Sequence, residues 1–265
     1  MMRKTNLSLV IVALLGLLVF SQFAQGDSKM YWTDSGTDKV QRANLDGSNI
    51  EDLVTTGLSN PRGIAVDLSG GKMYWTDTGT DKIQRANLDG SNIEDLVITG
   101  LRSPYGIALD TFGGKMYWTD TSTDKIQRAN LDGSNIENLV TTGLSSPSGI
   151  ALDLLAGKMY WTDYDTDKIQ RANLDGSNVE DLVTTGLNLP FGFALNPTIG
   201  KMYWTDYGAN RIQRANLDGS NVENVVISGL TDPAGIAIPQ FLSLIHISEP
   251  TRPLYNSYAV FCLKK

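Results

Sequence analysis

Between residues 29 and 238 apolar and polar positions follow one another in short runs, and the runs return in a fixed order. In the stretch 61–100, Gly63-Ile-Ala-Val-Asp67 is nearly continuous apolar chain, as a buried strand would be. Lys72 to Thr76 alternates around two aromatic residues, and Lys82-Ile-Gln-Arg-Ala-Asn-Leu88 makes a third run that stops at Asp89-Gly90. Asn92 to Val97 is the fourth run, and Thr99-Gly100 begins a crossing to the next unit. Runs of four to eight residues bounded by turn formers predict strands. The Asp-Gly step is a strong hairpin signal because both turn positions must tolerate positive φ. The pattern predicts four antiparallel strands per unit.

The unit repeats every 43 residues. Lys-Met-Tyr-Trp-Thr-Asp begins at Lys29, Lys72, Lys115, Lys158 and Lys201, and Arg-Ala-Asn-Leu-Asp-Gly keeps the same step, with its acid at Asp46, Asp89, Asp132, Asp175 and Asp218. Self-similarity at this period with four strands per unit is the signature of an all-β propeller, one blade per repeat. The five tryptophans, Trp32, Trp75, Trp118, Trp161 and Trp204, are the only ones in the chain, one per repeat. A lone four-stranded blade cannot hide both faces, so an aromatic used once per repeat is expected to fill the same contact between blades each time.

The motif tetrad Tyr-Trp-Thr-Asp in register with Asn-Leu-Asp-Gly, five times over, resembles the low-density-lipoprotein receptor class B family, the YWTD propellers of cell-surface receptors and nidogen-like matrix proteins. The resemblance runs from residue 29 to about 238 and implies a motif on the second strand of each blade and, as the family norm, six blades. It also implies that Asp34, Asp77, Asp120, Asp163 and Asp206 tie neighbouring blades through hydrogen bonds. Five motifs stand where six are expected, and no cysteine-rich module flanks them, which does not support a receptor role. Gly235-Ile-Ala-Ile238 reads as a fifth inner strand that would complete the first blade and close a five-bladed ring or a nearly closed arc. The rival is a sixth blade cut at the C-terminus.

The two ends read differently. Residues 1–26 carry Arg3 and Lys4, an apolar run from Leu7 to Phe20 and a small-residue finish at Ala24-Gln25-Gly26, the layout of a secretory signal peptide. The apolar run is short of the roughly 20 residues a membrane span needs. An uncleaved membrane anchor is the alternative. Residues 27–241 are the propeller, and residues 242–265 resemble translated sequencing-adapter DNA and are read as a non-native tail, a divergent natural tail being the other reading.

Charge and composition then narrow the function. Removing the two basic residues of the leader, and the three basic and one acidic residue of the tail, leaves 17 basic against 28 acidic residues and a net charge of −11. Such a surface repels nucleic acid and anionic membranes. The one histidine (His246) and the one cysteine (Cys262) both lie in the tail, so residues 27–241 offer no thiol nucleophile, no Cys/His zinc site and no histidine-based acid–base pair. No catalytic residue, cofactor site or metal site is assigned. Paired acids four apart, Asp34/Asp38, Asp77/Asp81, Asp120/Asp124 and Asp163/Asp167, were they to bind calcium, would supply too few of its six to eight oxygens. An Asx turn accounts for the second acid of each pair.

Near-identical repeats make their differences informative. The residue after each motif is Ser35, Thr78, Thr121, Tyr164 or Tyr207, and the residue after each crossing proline is Arg62, Tyr105, Ser148, Phe191 or Ala234. These positions fall on loops that leave one face of the propeller, where binding residues concentrate. Arg62, Arg102, Tyr105, Tyr164, Phe191 and Tyr207 are therefore the candidate ligand face, since aromatics and arginine dominate interface energetics. Drift at exposed loop positions is the competing explanation, and loops of the opposite face vary too, at Ser69, Phe112, Leu155 and Thr198. The expected function is a secreted, extracellular and monomeric binding module for a protein or glycan, without catalysis and without membrane insertion once the leader is removed. The alternatives are a structural matrix protein lacking a single ligand, and a propeller lyase or hydrolase.

Overall fold

The computed structural model describes residues 29–238 and 258–260. Residues 1–26, expected as a leader, and all but 258–260 of residues 242–265, expected as a non-native tail, lie outside that range. Blade one comprises β1 (Lys29–Asp34), β2 (Lys39–Asn44) and β3 (Glu51–Val54). Blade two comprises β4 (Pro61–Asp67), β5 (Lys72–Asp77), β6 (Lys82–Asn87) and β7 (Glu94–Val97). Blade three runs through β8 (Pro104–Asp110), β9 (Lys115–Asp120), β10 (Lys125–Asn130) and β11 (Glu137–Val140). Blade four has β12 (Pro147–Asp153), β13 (Lys158–Asp163), β14 (Lys168–Asn173) and β15 (Glu180–Val183). Blade five has β16 (Pro190–Asn196), β17 (Lys201–Asp206), β18 (Arg211–Asn216) and β19 (Glu223–Val226). Each is a separate antiparallel sheet with strands in chain order, and the five sheets form a propeller. A short strand β20 (Tyr258–Val260) pairs antiparallel with β4. Among the described residues no helix is long and apolar enough to cross a membrane.

Blade one has three strands, not four. Gly235 to Ile238, expected as its inner strand, form no strand ladder; just before them, Ala234 accepts a hydrogen bond from Thr205 Oγ1 of blade five at 2.9 Å. That bond repeats the one each inner strand makes with the blade before it, so the segment is held by blade five without pairing to β1.

The contacts between blades follow from the alternation. On the motif strand, Met116 and Trp118 face backwards onto Tyr74, Ile83 and Val97 of blade two, while Tyr117 faces forwards onto Met159 and Trp161 of blade four. The same set recurs between blades one and two and between blades four and five. Trp75, Trp118, Trp161 and Trp204 are wholly buried, and each indole N–H donates to the glutamine opposite it on the third strand, as from Trp118 to Gln127 at 3.1 Å. The motif tryptophan of the first blade, Trp32, and the motif tyrosine of the last, Tyr203, are only half-buried.

Hydrogen bonds sew the blades together near the axis. The motif threonine is the latch. Thr76 Oγ1 accepts from the Gly63 N–H of its own blade at 2.9 Å and donates to Tyr105 O of the next at 2.6 Å. Thr119 and Thr162 do the same toward Ser148 and Phe191. The inner-strand glycine is required by the closeness of this approach: a Cβ on Gly149 would stand 2.7 Å from both Phe191 O and Phe193 N.

The motif aspartates are wholly buried in blades two to five and need donors. Asp77 accepts the N–H of Ser59 and Asp120 that of Arg102, each at 2.8 Å, both amides lying in the crossing that enters the blade. The acid four residues later grips the crossing that leaves: Asp81 accepts from Ser103 N–H at 2.7 Å and Asp124 from Ser146 N–H at 2.8 Å. The two acids of neighbouring blades thus hold adjacent amides of one crossing. Asp38, Asp81, Asp124 and Asp167 have φ between 53° and 54°, a left-handed conformation that Asp tolerates. The Asx-turn reading of the second acid is corrected by this geometry, because its carboxylate faces the following blade and not its own turn.

Opposed ionisations set the pH response. Glu51, Glu94, Glu137, Glu180 and Glu223 are held below the usual carboxylate range chiefly by hydrogen bonds from the cross-strand arginine. Asp46, Asp89, Asp132, Asp175 and Asp218 are held low by the hydroxyl and amide of the serine two residues on. Burial pushes Asp120 and Asp163 up instead. A carboxylate with a depressed folded pKa adds stability above the unfolded value and loses it as pH falls through the folded one. Asp120 and Asp163 act in the reverse sense, gaining on acidification, but they are outnumbered. The melting temperature is therefore expected to hold across neutral pH and to fall below about pH 4, read by thermal melts across a pH series.

Candidate functional site

The site is built at a repeated irregularity. In each inner strand the register slips just after the proline: Pro61 pairs with Asp77 and Ile64 with Trp75, leaving Arg62 and Gly63 as a bulge. The same slip occurs after Pro104, Pro147 and Pro190. A bulge re-aims a side chain out of the sheet's alternation. Here it brings Arg62, Tyr105 and Phe191 to the lining of the axial cavity, while Ser148 is buried. Proline suits the first strand position, where no ladder N–H is required, and the following glycine allows the next blade's approach.

Tyr105 and Phe191 come from blades three and five, yet their rings meet edge-on with centroids 5.0 Å apart, blade four having the small Ser148 at the corresponding place. Phe191 also meets Tyr164 at 5.6 Å and Tyr207 at 5.8 Å, and Tyr164 lies 6.3 Å from Tyr207. The Arg62 guanidinium stands 5.4 Å from the Tyr105 ring centre. Five of the six candidate residues form one connected group, each ring half-buried. Arg102 stands apart: its side chain is exposed, and its contact there is the backbone N–H given to Asp120.

Beneath the rings lies a cavity of about 90 Å³ lined by inner-strand glycines and by Ile64, Ile107, Ile150 and Phe193. Arg62, Tyr105 and Phe191 line it as well. Arg62 Nε is buried without a hydrogen-bond partner among the described residues. No group of three or more Asp, Glu, His or Cys side chains suited to a metal ion occurs among the described residues.

Tyr164 and Tyr207 stand where blades two and three place threonine. Thr78 Oγ1 donates to Pro104 O at 2.9 Å and Thr121 Oγ1 to Pro147 O at 3.0 Å, a further stitch to the next blade. A tyrosine side chain cannot make that short contact, so blades four and five give up a stitch and present a ring. Their backbone keeps its place, with Tyr164 N–H bonded to Ser146 O at 3.2 Å and Tyr207 N–H to Leu189 O at 3.1 Å. Leu189 has φ +57°, a conformation that costs a side chain of this size more than it costs the Asn or Ser found in other blades.

The threonine latch was missed in the sequence because its acceptor belongs to the next repeat. The conserved spacing of Thr33, Thr76, Thr119, Thr162 and Thr205 was its only visible sign.

Comparison with known proteins gives a family match, a short curated relative and two structural neighbours. The sequence profile of the virginiamycin B lyase family matches residues 18–247. Low-density lipoprotein receptor-related protein 4 of Homo sapiens is 53% identical over 38 residues, 14% of this chain and 2% of that protein, so the chain spans a very small part of this relative. A crystal structure of a nidogen/laminin complex superposes with a TM-score of 0.71 at 30% identity, covering 78% of this chain and 80% of that one. A structure of virginiamycin B lyase from Staphylococcus aureus, a catalytically inactive histidine-to-alanine variant with quinupristin, superposes with a TM-score of 0.65 at 22% identity. That match covers 79% of this chain and 70% of the other, and at this identity it shows the fold alone.

Proposed function

This chain belongs to the virginiamycin B lyase family, by a match across most of its length, and we propose that it uses the propeller to bind a protein outside the cell, without catalysing a reaction. The single observation that carries the reading is the joined group Arg62, Tyr105, Phe191, Tyr164 and Tyr207. Residues that break the repeat, drawn from four blades, meet on one face. Drift at exposed loop positions would scatter such changes, and two of them cost a stitch between blades. Likeness to the nidogen/laminin structure supports a protein as partner, with a glycan as the alternative. In this reading residues 27–241 are the binding unit, exported by the 1–26 leader and acting as a monomer.

The lyase reading has the family profile in its favour. Against it stands the histidine of the Staphylococcus aureus enzyme, whose replacement goes with the description catalytically inactive. Residues 27–241 of this chain contain no histidine. The axial cavity is lined by glycines, isoleucines and phenylalanines together with Arg62 and Tyr105, so its lining holds no histidine or carboxylate to take that place.

Capture from an extracellular matrix extract tests the face. The paired change Tyr164→Ala and Tyr207→Ala is expected to lose at least one captured protein while the melting temperature falls only slightly, because both rings are half-buried. The control pair Phe112→Ala and Leu155→Ala, on nearly fully exposed loops of the other face, is expected to retain it. Equal capture by all three proteins would refute the proposed face.

A further inference from the structure

We infer that the rim between blades four and five takes a cationic side chain, a guanidinium or ammonium group, from the protein partner. This rests on the reading of the face as a binding surface and names the chemistry of its occupant. Two acids break the repeat there and nowhere else on the face. Asp165 stands where the other repeats have Gly36, Gly79, Ser122 and Gly208, and Asp232 stands where they have Asn60, Ser103, Ser146 and Leu189. Both are exposed, and neither joins an ion pair among the described residues, although the cross-strand acids Glu51, Glu94, Glu137, Glu180 and Glu223 all do. Asp165 accepts one bond, from Ser146 Oγ at 2.6 Å, through one of its two oxygens.

The acids flank the aromatic group. Asp165 follows Tyr164 directly in the chain, and the Asp232 N–H donates to Asn210 Oδ1 at 2.8 Å, while the Asn210 N–H donates to Tyr207 O at 3.3 Å. Burial pushes the Tyr164 phenol up first, and the charges of Asp165 and Asp232 add to it. Tyr164, Phe191 and Tyr207 are tilted against one another at 48° to 67°. Rings beside carboxylates are the arrangement that holds a cation, by the ring quadrupole on one side and charge-assisted hydrogen bonds on the other. The chain already makes half of this contact for itself, with Arg62 against Tyr105 at the opposite end of the same group. The repeat region's surplus of acidic residues adds a field that draws cations toward the surface.

The test uses the full purified chain and three labelled glycine-spaced peptides, carrying arginine, lysine or glutamate. Binding of the arginine and lysine peptides is expected, weakening with added salt. The double change Asp165→Asn and Asp232→Asn is expected to lower their affinity about tenfold without moving the melting temperature. Binding of the glutamate peptide alone, lost on Arg62→Gln, would overturn the cationic assignment while leaving the binding face in place. Peptide binding indifferent to the two aspartates would overturn it as well. If no peptide binds while capture from matrix still depends on Tyr164 and Tyr207, the cationic assignment falls alone. If that dependence is also absent, both readings fall.

Discussion

Replacing Trp118 with alanine is expected to lower the melting temperature by about 10 °C, the largest single loss in the chain. The indole is wholly buried in the cluster where blade three meets blade two, against Tyr74, Ile83 and Val97. Removing it leaves a cavity that flanking sheets cannot close, because each is fixed by its own ladder. Truncations of this size cost about 3–5 kcal/mol. Gln127 also loses the indole N–H that occupies its carbonyl oxygen. Trp32→Ala should cost clearly less, since Trp32 is half-buried at the start of the series. Differential scanning calorimetry of the two variants checks the ranking, and equal losses would contradict the account of the blade contacts.

The second large effect is expected from Gly149→Ala, a change that adds one methyl group. Its Cβ would meet Phe191 O and Phe193 N at 2.7 Å and Phe193 Cβ at 2.8 Å. Two of these atoms are backbone of the neighbouring blade and cannot turn aside. Overpacking of this kind typically costs about 1–3 kcal/mol. The displaced strand carries Phe191, the ring to which Tyr105, Tyr164 and Tyr207 are all joined. Both the melting temperature and partner capture should therefore fall, whereas Gly143→Ala, where a Cβ meets no atom but φ is +74°, should lower stability and spare capture.

Most of the fold was legible because one 43-residue pattern stated it five times. Alternation around Tyr74 and Trp75, with Asp89-Gly90 closing the third strand, fixes strand order within a blade by local chemistry. What crosses from one repeat to the next was harder to read. The latch from Thr76 to Tyr105 spans 29 residues, and the grip of Asp81 on Ser103 spans 22, so neither leaves a local signal. The same limit explains the fifth inner strand. Gly235-Ile-Ala-Ile238 matches Gly149-Ile-Ala-Leu152 at three of four residues, but a strand also needs a partner in place, and β1 does not pair with it.

The candidate site was legible as a face and not as a cluster. Loop position alone put Tyr164 and Tyr207 on the same side as Tyr105 and Phe191. That Tyr105 touches Phe191 across two blades, with the small Ser148 at the corresponding place of blade four, follows from no single repeat. Arg102 shares that side by the same rule, yet its backbone is committed to Asp120 and its side chain leaves the group. The chain is a YWTD propeller whose repeated residues build the blades, and five of its exceptions gather on one face.

Whether that gathering serves binding or catalysis is decided most directly by incubating the purified chain with quinupristin and following its disappearance by liquid chromatography. The account predicts loss no faster than in buffer alone. Faster consumption that survives removal of residues 242–265, and with them the one histidine, would show that the propeller itself is a lyase.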